Sequence, residues 1–138
     1  MIKTETAKPE DRSQVVNLLM ENGMDYSDPI EDFTIARANH SIAGCIRIEP
    51  HATVKIIRPL VVASAYRKTG VGRLLLETAI PNANGRPVVI VSRGESRGFY
   101  KAVGFSEADW KLIPDHQREE CNLCPERPSC NPVPMIYA

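Results

Sequence analysis

"AYRKTGVGRLLLETAI", residues 65–80, runs from a basic tripeptide-like segment through two glycines one residue apart into an apolar helix pattern without a break. It follows a β-branched run and leads into Leu74, Leu75 and Ala79, so it reads as a strand-to-helix turn. The first N–H groups of a helix lack intrahelical partners, and the helix dipole adds partial positive charge there. Gly70 and Gly72 permit close backbone approach and positive φ, while Arg67, Lys68 and Arg73 can add charge. Such a turn suits an anion, phosphate above all. The bland alternative is a tight turn with solvated charges. A Walker loop is excluded because GxxxxGK[ST] is absent, and a dinucleotide fingerprint is excluded because Leu75 stands where its third glycine belongs.

Working outward, 138 residues with 43% hydrophobic content fit one domain, 1–138, able to build a core without staples. Seventeen basic residues balance seventeen acidic ones, so no overall field draws the chain to nucleic acid or to an anionic membrane. Any anion must be held locally. The start, MIKTETAKPEDR, lacks the apolar core of a signal peptide, and no apolar run approaches the roughly 20 residues that span a bilayer. Cys45 lies in an apolar run, and Cys121, Cys124 and Cys130 cluster late in a spacing unlike a secreted disulfide framework, so a reduced, cytoplasmic setting is expected.

The pattern predicts a first strand over IKTET and a helix from Pro9 that carries Val15, Leu18 and Leu19 and closes near Asn22-Gly23. FTIARANHSIAGCIRIE predicts a hairpin turning at Ala38 to Ser41. TVKIIRPLVV predicts another strand, with a bulge and a local parting at Pro59 that could hold a ligand. NANGRP reads as a turn, VVIVS as a buried strand, and ESRGFYKAV as a helix ending at Gly104, with a strand from Phe105. The order predicts an α/β fold with a mixed central sheet flanked by helices. Residues 114–134 form a Cys- and Pro-rich segment, followed by the strand candidate PMIYA.

Two motifs at this separation carry more than either alone. Arg67-Lys68-Thr69-Gly70-Val71-Gly72 matches [RQ]xxGx[GA], and Phe99 to Phe105 reads FYKAVGF, matching FYxxxGF. Over residues 1 to 110 the chain resembles the GNAT acetyltransferase superfamily. The resemblance implies a GNAT fold, acetyl-CoA as co-substrate, its pyrophosphate on Arg67 to Arg73, and its pantetheine arm paired with the backbone of Leu60, Val61 and Val62. It places at Tyr100 a hydroxyl able to protonate the departing thiolate, against the alternative of a core tyrosine. A backbone N–H near Val61 would stabilise the oxyanion. Many relatives carry a glutamate on the fourth strand, where this chain has Ile56, which leaves Glu49 or a relayed water as base. His40 and His51 read as solvated turn residues.

Arg58, beside the implied reaction centre, could grip a carboxylate or could pair with Glu49. The ending CNLCPERPSCNPVPMI resembles that of small N-acetylglutamate-synthase-like amino-acid acetyltransferases, and its LCP portion that of small arsenic-operon acetyltransferases. Both imply a small amino-acid-like acceptor. Cys121, Cys124 and Cys130, with His116 upstream, could supply a zinc site, a disulfide or free thiols. Expected partners are therefore acetyl-CoA and a small amine, without nucleic acid or membrane; a homodimer stays open. The rival readings are acetylation of a protein N-terminus or lysine, and a CoA-binding or redox-sensing module that catalyses nothing.

Overall fold

The computed structural model describes residues 2–83 and 85–137. Strand β1 spans Ile2–Thr6. A 3-10 turn over Pro9–Asp11 leads into helix α1, Arg12–Glu21, and Pro9 stands at the first position, where no N–H is needed. Val15, Leu18 and Leu19 form its buried face, and the helix stops at Asn22 with Gly23 at φ +69°. Strands β2, Phe33–Ala38, and β3, Ser41–Pro50, form the expected antiparallel hairpin, turned by Asn39 in the left-handed region. Then follow β4, Lys55–Val62; α2, Val71–Ala79; β5, Val88–Ser92; and α3, Arg97–Ala102. The chain continues through β6, Ser106–Glu107; α4, Asp115–Leu123; α5, Arg127–Cys130; and β7, Val133–Tyr137. The seven strands run β1-β2-β3-β4-β5-β7-β6, mixed in direction as the pattern predicts.

The chain divides into two compact units, with boundaries after Glu49, after Ile56 and after Asn84. In the first, α1 packs Val15, Leu18 and Leu19 with Phe33, Ile35, Cys45 and Val61. Its polar counterpart is Arg37, which donates to Glu5 at 2.6 Å and to Asp11 at 2.8 Å, tying β1 and the 3-10 turn to β2. Burial opposes ionisation of Asp11, yet the bonds from Arg37 and the Lys8 N–H hold its carboxyl below the usual range. In the second unit Val54, Ile56, Val89 and Ile113 form the core, with Trp110 and Ile136 packed against it. There β5 pairs with the start of β4 in parallel, Lys55 with Val88 and Ile56 with Val89, and with β7 in antiparallel register.

Four features depart from the sequence expectations. The Arg58–Pro59 peptide is cis, and a register irregularity that the pattern did not announce falls at Ala36/Arg37 between β2 and β3. Residues 94–96 form a 3-10 turn, so α3 begins only at Arg97. The strand expected from Phe105 is reduced to Ser106–Glu107. The segment 114–134 contains α4 and α5, which sequence patterning missed because α4 buries no residue and so lacks an apolar stripe. Asn84 of the expected turn and Ala138 of the last strand candidate lie outside the described residues. Among those residues no helix is long and apolar enough to cross a membrane.

Gly44 positions α2. A Cβ there would stand 2.8 Å from the Val61 carbonyl oxygen, 3.1 Å from Leu75 Cδ1 and 3.2 Å from Val71 Cγ1, so β3 meets both β4 and the first turns of α2 through its bare backbone. The Val61 carbonyl cannot move away as a flexible side chain would. Gly44→Ala is expected to cost about 1–3 kcal/mol through overpacking, read as a lowered denaturation midpoint in urea at unchanged slope.

Candidate functional site

The turn at residues 67–72 is built as its glycines predict. Gly70 is the N-cap of α2 at φ +91°, a left-handed conformation, and no side chain caps the helix. The first helical bond runs from the Leu74 N–H to the Gly70 carbonyl at 3.0 Å, which leaves the N–H groups of Val71, Gly72 and Arg73 ahead of any i−4 acceptor. Val71, Gly72, Leu75, Leu76 and Ala79 are buried and fix the helix against its unit. A negative group at this end would meet backbone donors and the positive end of the dipole together. Lys68 adopts φ +64°, a conformation no sequence signal announced. The Thr69 hydroxyl donates to the Tyr66 carbonyl and so closes the turn from within.

The basic side chains are less uniform than the sequence suggested. Arg73 reaches along α2 to Glu77 at 3.2 Å, an exposed i,i+4 pair worth at most a few tenths of a kcal/mol, roughly, and readily exchanged for a stronger anion. Arg67 turns to the Val62 carbonyl at 3.3 Å and to Asn22 Oδ1 at 2.6 Å.

On β4, Val61 points into the core while Leu60 and Val62 are half-buried, the alternation of a strand. Arg58 is half-buried, and its carbonyl accepts from Arg47 Nε at 2.9 Å. Arg47 also donates to Glu49 at 2.6 Å, an ion pair the sequence reading did not anticipate for this carboxylate. Ile56, where many relatives of the resembled family place glutamate, is 1% exposed and belongs to the apolar core of the second unit.

Tyr100, on α3, is 6% exposed. Its ring meets Phe99 and Phe105 edge-on at 5.1 and 5.4 Å between centroids, and Phe105 in turn leans on Tyr137. Burial pushes the phenol well above its ordinary pKa, so the hydroxyl keeps its proton at neutral pH. Phe105 is packing, whereas Phe99 is substantially exposed.

His40 lies in the exposed β2–β3 turn, as the sequence predicts. His51 is half-buried and stacks on His116 at 5.6 Å between centroids. That contact takes His116 away from the expected cysteine site. Among the described residues no group of three metal-capable ligand atoms includes a cysteine, and all four cysteines are free thiols. The zinc expectation for Cys121, Cys124 and Cys130 is thereby corrected, for a geometric reason. Residues five apart on an α-helix project about 140° from one another, so α4 separates His116 from Cys121. Burial raises the Cys121 thiol and pushes that of Cys45 up to about 12.

The acetyltransferase (GNAT) domain family matches residues 29–107 of the chain. An uncharacterized N-acetyltransferase of Chlorobaculum tepidum is 34% identical over 111 residues, covering 78% of this chain and 70% of the relative. The N-acetylglutamate synthase of Neisseria gonorrhoeae, solved with coenzyme A and N-acetyl-glutamate, superposes with a TM-score of 0.78 at 18% identity. That match covers 99% of this chain and only 35% of the synthase, so the chain spans about a third of its length. The ribosomal-protein-S18-alanine N-acetyltransferase of Escherichia coli gives a TM-score of 0.71 at 15% identity, over 99% of this chain and 93% of that one. At such identities these two structures share the fold and nothing finer. With the family match over more than half its length and the Chlorobaculum relative beside it, the chain belongs to the GNAT family and is an acetyltransferase.

Proposed function

We propose that the protein transfers acetyl from acetyl-CoA to the amine of a small, carboxylate-bearing acceptor of the amino-acid kind. The observation that carries the cofactor half is the left-handed Gly70 at an α2 start capped by no side chain. A pyrophosphate is the ligand such an end recognises best, since it offers oxygens to several convergent N–H groups at once. Residues 67–73 then form the cradle, and the backbone of Leu60, Val61 and Val62 offers the pantetheine arm an extended partner. Coenzyme A in the Neisseria synthase structure supports the same reading.

Chemically, the acceptor amine gives up a proton to Glu49 or a relayed water as its nitrogen bonds to the thioester carbonyl carbon, the carbonyl becomes an oxyanion, and its collapse breaks the C–S bond. A backbone N–H near Val61 steadies the oxyanion. Tyr100, kept neutral by burial, gives its proton to the departing thiolate. Arg58 grips the acceptor carboxylate. A cytoplasmic setting suits a chain whose four cysteines are free.

The alternative acceptor, a protein N-terminus, has its own precedent among the fold neighbours in the S18-alanine enzyme. Half-buried Arg58 beside Arg47 favours the small carboxylate, because a desolvated guanidinium is a strong anion site and a poor neighbour for an incoming ammonium.

A valine at position 70 would be forced into the left-handed region and would bring a side chain to the cradle. Gly70→Val is therefore expected to weaken CoA binding by about 100-fold or more in calorimetry, and unchanged affinity in a folded variant would remove the cradle assignment. Tyr100→Phe should lower kcat by about 100-fold and leave CoA affinity within error, with an equal rate returning Tyr100 to the core. Arg58→Lys should lose most of what Arg58→Ala loses in kcat/KM for an amino acid such as glutamate, and its decarboxylated analogue should be a poor substrate that neither change affects. Equal turnover of glutamate and the analogue by the wild type, with Arg58→Ala indistinguishable from it, would make Arg58 structural.

A further inference from the structure

Arg67 opens the loop motif with an extended backbone, φ −66° and ψ 146°, and its N–H is turned back to the Ser64 carbonyl at 3.4 Å. Its guanidinium spans two other elements. Nε donates to the Val62 carbonyl at the end of β4, and Nη2 donates to Asn22 Oδ1 at the end of α1. Asn22 is itself oriented: its Nδ2 donates to the Leu18 carbonyl at 2.8 Å and its backbone N–H to the Leu19 carbonyl at 3.0 Å. With the amide NH2 committed to the helix, the side-chain oxygen is the atom that faces Arg67, so the pair has a defined polarity. The cation also lies where α1 ends, at the negative end of the helix dipole. A charge so placed already has its counterpart.

We infer that Arg67 is a positioning residue that latches the cofactor loop to the C-cap of α1 through Asn22, rather than a ligand of the pyrophosphate. The inference rests on the acetyl-CoA reading above. It assigns anion contact to the backbone at residues 70–73 and gives Asn22, 45 positions away in sequence, a role in cofactor affinity. The planar guanidinium explains the residue type: two donors on one rigid frame hold strand end and helix end at a fixed separation. An ammonium carries the charge but not the frame.

Calorimetry with CoA separates the two roles. For the latch, Asn22→Ala should weaken CoA binding by about tenfold, as should Arg67→Ala and Arg67→Lys, and the double variant should be no worse than either single, since the changes share one interaction. At saturating acetyl-CoA, kcat should stay near wild type while KM for acetyl-CoA rises. Asn22→Asp, which keeps an acceptor in place, should restore most of the affinity. Wild-type affinity in Asn22→Ala, additive losses in the double variant, or full retention by Arg67→Lys would each show Arg67 acting on the anion directly and overturn the latch. Lowered melting temperatures with unchanged CoA affinity would reduce the contact to a structural one, and overturn it too. Failure of the wild type to bind CoA would overturn the cofactor reading and the latch together, which sets that result apart from the others.

Discussion

The positive φ at Gly70 is the constraint on which the functional half of the first unit depends. After Arg67, Lys68 and Thr69 it lets the chain turn into α2 at a single residue, so the first free N–H groups of the helix follow the turn directly. Gly44 supplies the complementary freedom from the other side. Without a Cβ at that point, β3 closes on the Val61 carbonyl and on the first two turns of α2, which fixes the helix start relative to β4. Two glycines, one giving a backbone direction and one giving a distance, thus place a helix end with unpaired N–H groups against a strand.

Electrostatics in this chain is local by construction. Equal numbers of basic and acidic residues leave no net field, and the arginines are engaged individually: Arg12 with Asp28, Arg37 with Glu5 and Asp11, Arg47 with Glu49, Arg73 with Glu77. The pairs differ in what they can do. Arg73–Glu77 is exposed on both sides and exchangeable, whereas Arg37 bridges a buried aspartate and cannot be released without stranding that charge. A cofactor with several phosphates can recruit the first kind and not the second. Basic residues close to a loop in sequence are therefore not equivalent as ligands, and their partners decide which ones are.

That distinction also marks what the sequence could tell. The hairpin, α1 with its Asn22-Gly23 end, the strand-to-helix turn and β5 were legible because each is written in local chemistry: period, cap residues, or a run of β-branched side chains. α4 was not legible, because a helix that buries nothing has no period to read. The cis peptide before Pro59 was not legible either; the residue announced an anomaly and not its kind. Of the residues proposed for function, 67–72 and Tyr100 were singled out by pattern, but Asn22 carried no signal beyond a helix cap. The Cys121, Cys124 and Cys130 spacing left zinc, a disulfide and free thiols open, since proximity in sequence says nothing of side-chain direction, and the thiols are free.

The acceptor question turns on the same logic of partners. Arg58 and Arg47 are neighbours, joined by a bond from the Arg47 guanidinium to the Arg58 carbonyl, and Arg47 holds Glu49. Both side chains are half-buried. For the small acceptor proposed above, a carboxylate meeting Arg58 would do so in a partly desolvated setting, where charge interactions are several times stronger than in water. Because the distance from carboxylate to amine is fixed in an amino acid, gripping the one would also aim the other. Recognition and orientation then come from one contact, which is the economical arrangement for a small acceptor and has no counterpart for a lysine side chain whose amine is four methylenes from its backbone.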